Sequence, residues 1–133
     1  MIGLDTNLLI RYIIRDDLTQ TRAADRYIDS LSEDGISLFL NNIVLCELVR
    51  VLEVTYEYNK IQVVSVIEKI LSTSQFLFED TNAIWIAISA YKKSKSGFAD
   101  SLIGTINKLS GCEKTATFDK KAAKLPDFEL LNS

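Results

Sequence analysis

An α/β fold built on a mainly parallel sheet is predicted by three features of the sequence. Short apolar runs alternate with longer segments of helical periodicity along the whole chain. Most of the apolar runs lack the in–out alternation of a half-exposed strand, as expected of strands covered on both faces. The single proline and five glycines do not cluster, so no linker interrupts the series.

Met1–Leu4 reads as a buried first strand ending at Asp5. Asn7–Arg15 suits a short helix, and Thr19 is placed to cap a second one through about Ser32, with Ala23, Ala24, Tyr27, Ile28 and Leu31 inward. Gly35 ends that helix before a strand at Ile36–Leu40. Asn41 or Asn42 caps a helix to about Glu57, whose Val44, Leu45, Leu48, Val51, Leu52 and Tyr56 keep helical spacing. Lys60–Leu71 repeats the pattern, which predicts an antiparallel helix pair. Gln75–Glu79 is the third strand. Thr81 caps a helix from Asn82 to about Lys93 that is apolar on most sides and therefore expected deep in the core. After Gly97 follow a helix at Ala99–Leu109, a strand at Lys114–Thr117, a helical turn at Lys120–Lys124 and a short strand at Phe128–Leu131.

The 133 residues, 47% of them apolar, fit one domain spanning 1–133. No histidine occurs, which excludes Ser-His-Asp and Cys-His catalysis, histidine zinc sites and histidine bases. Cys46 and Cys112 have no paired spacing and read as reduced thiols. The N-terminus lacks a basic leader and no uncharged run reaches membrane-spanning length, so a soluble cytoplasmic protein is expected.

In a parallel sheet, ligands bind beyond the carboxyl ends of the strands. Asp5 follows the first strand, Glu47 lies in the first turns after the second, Asp100 opens a helix, and Asp119 follows the fourth strand. Taken singly, Asp5 and Asp119 suit helix caps, and Asp100 suits the positive end of a helix dipole. Glu47 reads as a half-buried acid in need of a partner. Gathered together, four carboxylates would repel until a cation arrived. Oxygen-only ligands select a hard divalent ion, Mg²⁺ or Mn²⁺, and such a site suits phosphodiester hydrolysis without histidine.

The net charge of −3 does not oppose a polyanionic substrate, because with those four acids set aside basic side chains outnumber acidic ones by one. Arg11 and Arg15 share a helix face, Lys92, Lys93 and Lys95 precede Asp100, and Lys120, Lys121 and Lys124 follow Asp119. Each run suits either a solvated face or phosphate contacts. Tyr12, Phe98 and Phe118 offer rings for unpaired bases, with core packing the expectation for Phe118.

The ordered set Leu4-Asp5-Thr6-Asn7, Leu45-Cys46-Glu47-Leu48, Phe98-Ala99-Asp100-Ser101-Leu102 and Thr117-Phe118-Asp119-Lys120-Lys121 resembles the PIN domain family over essentially the whole chain. That resemblance implies a three-layer α/β/α sandwich with a central, mainly parallel sheet, and a metal-dependent ribonuclease. It implies that Asp5, Glu47, Asp100 and Asp119 are metal-binding and catalytic. Thr6, Asn7 and Thr117 would support them, and Arg11, Arg15, Lys120 and Lys121 would touch substrate. A free-standing PIN domain of this length is most similar to the VapC-type endoribonuclease toxins of toxin–antitoxin pairs. Those act on RNA, are usually homodimers and are silenced by a VapB-type antitoxin. The apolar faces around Val44–Tyr56 and Ile61–Leu71 are the expected surfaces for such partners. A phosphoacceptor receiver domain would want paired acids after the first strand, and a haloacid-dehalogenase-type phosphatase would want Asp-x-Asp there; Asp5-Thr6-Asn7 has neither. A PIN-like scaffold that binds RNA or protein without cutting is the remaining alternative.

Overall fold

The computed structural model describes residues 1–132. They form an α/β arrangement with two compact units. The first comprises Met1–Asn59 and Ser65–Glu79, and the second Lys60–Val64 and the chain from Asp80 on.

In the first unit, strands β1 (Ile2–Gly3), β2 (Leu38–Leu40) and β3 (Phe76–Phe78) form a parallel sheet in that order. Ile2 is in register with Leu38, and Leu38 with Phe76. Parallel neighbours need crossovers, and helices provide them: α1 (Thr6–Ile14) and α2 (Leu18–Glu33) between β1 and β2, then α3 (Asn42–Val54) and α4 (Lys60–Leu71), whose first five residues are counted with the second unit, between β2 and β3. The strands are short but sit among the most buried residues, including Leu38, Leu40, Leu45, Leu48 and Leu52.

Helix starts follow side-chain chemistry more closely than apolar spacing. Asp17, not Thr19, caps α2, its Oδ1 accepting from the Gln20 amide at 3.0 Å. Asn41 caps α3 through the Val44 amide at 2.9 Å, as one of the two expected asparagines. The inner face of α2 is Thr21, Ala24 and Ile28; Ala23 and Tyr27, expected inward, are exposed.

The second unit contains α5 (Thr81–Lys93) and α6 (Phe98–Leu109), the most extensively packed helix pair. A second parallel sheet follows, β4 (Thr115–Thr117) against β5 (Phe128–Leu130), with a 3-10 turn at Ala122–Lys124 between them. Asp80, not Thr81, caps α5 through the Ala83 amide at 3.0 Å. The expectation that α5 lies deep in the core holds for one face only: Ala83, Ile84, Ala87, Ile88 and Tyr91 are buried, but Trp85 and Ile86 are each 43% exposed. Between Ala83 and Ile88 the helix is apolar at every position, so no polar residue there marks the uncovered side.

Tyr91 and Phe98 meet edge to face, ring centres 6.0 Å apart, where α5 turns into α6. Lys60 Nζ lies 3.9 Å from the Tyr91 ring centre and donates to the Tyr91 and Ser96 carbonyls at 2.8 and 2.7 Å. Gly104 of α6 lies so close to β5 that a Cβ there would strike the Phe128 ring. Among the described residues no helix is long and apolar enough to cross a membrane.

Candidate active site

In the first unit, β1 runs out at Leu4, whose amide still bonds the Phe39 carbonyl at 3.1 Å, and Asp5 follows at once. Asp5 caps α1, its Oδ1 accepting from the Leu8 amide at 3.1 Å. The cap uses one carboxylate oxygen and leaves Oδ2 without a hydrogen bond among the described residues. The next side chain, Thr6, donates from Oγ1 to Glu47 Oε2 at 2.9 Å across 41 residues of sequence. Asp5 and Glu47, one on each side of that bond, thus belong to one corner of the unit. Glu47 is exposed, which corrects the expectation of a half-buried acid; its partner is a hydroxyl rather than a base.

Asn7 is exposed and lines, with Asp5, Leu8, Arg11, Gln20, Ala23 and Ala24, a hollow of about 270 Å³. The two arginines near this corner are engaged elsewhere. Arg11 bonds Gln20 at 2.7 Å and Asp16 at 2.9 Å. Arg15 grips Asp25 with two bonds of 2.8 and 2.6 Å. That fork is the geometry in which guanidinium and carboxylate bind most strongly, and it holds the Asp25 carboxyl below its ordinary range.

In the second unit, α6 begins at Gly97 with no side-chain cap, and Asp100 lies in its first turn. Helix starts favour an ionised carboxylate, yet burial, reinforced by the negative charge of Asp119, pushes the Asp100 carboxyl up from its ordinary value.

Asp119 itself is fixed by the backbone after β4. Its Oδ1 accepts from the amides of Lys121 at 2.8 Å and Ala122 at 3.3 Å, and its own amide donates to Thr117 Oγ1 at 3.0 Å. Lys120 and Lys121 are exposed and form no ion pair among the described residues.

Sequence reasoning missed Ser96. It is almost wholly buried; its Oγ donates to the Lys121 carbonyl at 2.6 Å and its carbonyl receives Lys60. One residue therefore ties the entry to α6, which carries Asp100, to the loop that carries Asp119. The only trace in the sequence is a serine directly before a glycine-opened helix.

Each unit holds two of the four acids. Within neither unit, among the described residues, do three or more Asp, Glu, Cys or His side chains gather as a ready cation site. The donors are all oxygen, no ion pair among the described residues engages any of the four, and one of them is held in a negative, partly desolvated setting. That chemistry fits a hard divalent cation and does not fit zinc.

Comparison with known proteins covers both units at once. The chain is 29% identical over 129 residues to a VapC ribonuclease of Aquifex aeolicus (strain VF5), an alignment covering 97% of this chain and 94% of that one. The PIN domain model matches residues 2–127, a span that includes all four acids, and the chain belongs to the PIN domain family.

Proposed function

We propose that the protein is a metal-dependent endoribonuclease, the toxin of a VapBC-type pair, and that Asp5, Glu47, Asp100 and Asp119 act together on Mg²⁺ or Mn²⁺. The observation that carries this reading is the match to the PIN domain model over residues 2–127, a span along which the four acids stand in order. None of the four is engaged in an ion pair with an arginine or lysine among the described residues, which leaves each open to a cation. Acids left without a basic partner suit a cation from solution. The likeness to a VapC ribonuclease along nearly the full length supports the same choice of substrate.

A divalent ion held by these carboxylates would supply a water acidic enough to act near neutral pH and positive charge opposite the phosphodiester. The chain's own residues position and hold. Asp5 offers the oxygen its cap leaves open, while Thr6 fixes the rotamer of Glu47. Thr117 and the two amides beyond Asp119 set the direction of that carboxylate. Asn7 borders the Asp5 hollow. Lys120 and Lys121 have ammonium groups available for RNA phosphates; Arg11 and Arg15 would reach them only by exchanging their present carboxylate partners.

A VapB-type antitoxin and a second copy of the chain are the proposed protein partners, and the cytoplasm the proposed compartment. Ile43 and Val54 of α3, and Ile61 of α4, are largely exposed apolar side chains suited to such contacts.

The test is cleavage of a labelled single-stranded RNA by protein purified under denaturing conditions and refolded, with Mg²⁺ or Mn²⁺ against EDTA, beside Asp5→Asn. Metal-dependent cutting that the variant lacks is the expected result. Absence of cutting across a panel of structured RNAs would replace this reading with that of a binding scaffold.

A further inference from the structure

Three aromatic residues near the proposed ligands have sequence positions suited to stacking on bases, and the structure separates them. Phe98 is buried against Tyr91. Tyr12 packs edge to face on Phe76, ring centres 6.4 Å apart. Phe118 is 67% exposed and pairs with no other ring among the described residues, which corrects the expectation that it packs in the core.

Its backbone is held firmly although its ring is open. On one side, the Thr117 carbonyl accepts from the Leu131 amide at 2.8 Å and the Thr117 hydroxyl accepts from the Asp119 amide at 3.0 Å. On the other, Asp119 is fixed by the amides of Lys121 and Ala122. A large apolar ring displayed from a rigid turn exposes its faces to water without any fold-level benefit. Phe118 borders a hollow of about 400 Å³ whose other walls are Lys120, Leu130, Leu131 and Asn132. The hollow therefore combines an aromatic face, an apolar floor, one cation and one amide able to both donate and accept. A flat heteroaromatic ring attached to a phosphate matches that combination.

We propose that Phe118, Lys120 and Asn132 form a subsite for one unpaired nucleobase of an RNA strand, with the base on the Phe118 ring and the adjoining phosphate at Lys120. The identity of the occupant rests on the ribonuclease reading. Because Asp119 is the next residue, the base held here belongs to a nucleotide close to the bond that is cut. The subsite requires an unpaired base, since a base inside a duplex presents no free face.

Two measurements on the full chain test this, both in EDTA so that binding is read without cleavage, and they are set beside the cleavage assay with metal described above. First, a short single-stranded RNA carrying 5-iodouridine is photo-crosslinked to the wild-type protein and the adduct mapped by mass spectrometry. The expected adduct is on Phe118, and adducts confined to other residues would overturn the proposal. Second, affinity is compared for wild type, Phe118→Ala, Phe118→Leu and Phe118→Trp. Alanine and leucine are expected to weaken binding about tenfold, while tryptophan, which keeps a stacking face, restores it. The loss should vanish for an RNA made abasic at the crosslinked position. Leucine binding as well as phenylalanine would reduce the ring to mere apolar bulk and overturn the subsite. If wild type cuts RNA with metal but the Phe118 variants bind and cut as it does, the subsite fails alone. If wild type neither binds nor cuts single-stranded RNA, the ribonuclease reading fails and the subsite with it.

Discussion

The Ser96 hydroxyl donates to the Lys121 carbonyl at 2.6 Å, joining the turn before α6 to the loop after β4. Lys60 completes the clamp from the start of α4 through the Ser96 carbonyl. Removing a buried donor leaves its acceptor unsatisfied, at about 1–3 kcal/mol. Ser96→Ala is therefore expected to destabilise the fold by that order in chemical denaturation. It should also weaken Mn²⁺ binding about tenfold, as changes to residues supporting metal ligands commonly do. A calorimetric titration with unchanged Mn²⁺ affinity would confine Ser96 to packing.

Asp5 has two separable duties. As an N-cap it can be replaced by asparagine at little cost, whereas alanine costs about 1 kcal/mol. As a proposed ligand it needs its charge. Asp5→Asn should leave the metal-free melting temperature nearly unchanged while abolishing cleavage; Asp5→Ala should lose both. An asparagine variant that cuts at the wild-type rate would remove Asp5 from the site.

Thr6 and Glu47 form a pair that can be dissected the same way. Thr6→Val keeps the shape and deletes the 2.9 Å bond to Glu47. Roughly tenfold weaker Mn²⁺ affinity is expected, in line with loss of a residue that orients a ligand. Glu47→Gln should also weaken affinity, and the double variant should add little to Glu47→Gln, because the threonine acts through the carboxylate. Additive losses in the titration would show that Thr6 acts independently.

The pH dependence of the metal-free protein follows from opposite shifts. Burial and Asp119 raise the Asp100 carboxyl. Its contribution to stability is thus fully present below the ordinary carboxylate value and lost as pH rises through the raised one. Asp16, held down by the Tyr56 hydroxyl, and Asp25, held down by Arg15, act the other way: their stabilisation is present above the ordinary value and lost as pH falls. Asp100→Asn should therefore melt higher than wild type at pH 7 in EDTA, with the difference shrinking in acid. Added Mn²⁺ should raise the wild-type melting temperature and leave the variant nearly unmoved. A variant that melts lower at pH 7 would make Asp100 a structural acid.

The order of helices and strands was legible because apolar runs of two lengths alternate, and because asparagine or aspartate stands before α1, α2, α3 and α5. Cap identity was less so: Asp17 and Thr19, or Asp80 and Thr81, are equally good on paper, and only the reach of a carboxylate to the third amide decides between them. The exposure of Trp85, Ile86 and Phe118 was not legible, since apolar character does not say whether anything covers a side chain. Likewise the Arg15–Asp25 fork and the Ser96 clamp join residues ten and 25 positions apart, and no periodicity carries such pairs. The placement of Asp5, Asp100 and Asp119 was legible because each follows a strand or opens a helix, whereas Glu47 stands in the second turn of α3 and had only its spacing to place it; the local partners of all four were not legible.

Gly104 and Phe128 are one position in two places. With no room for a methyl group between α6 and the ring as it stands, alanine at 104 requires the Phe128 ring to move or a shorter side chain to replace it. Substitution histories at this helix–strand crossing should therefore move in step. A combined Gly104→Ala and Phe128→Leu change offers a way to stiffen α6, the helix that presents Asp100, by exchanging its weakest helix former for its strongest.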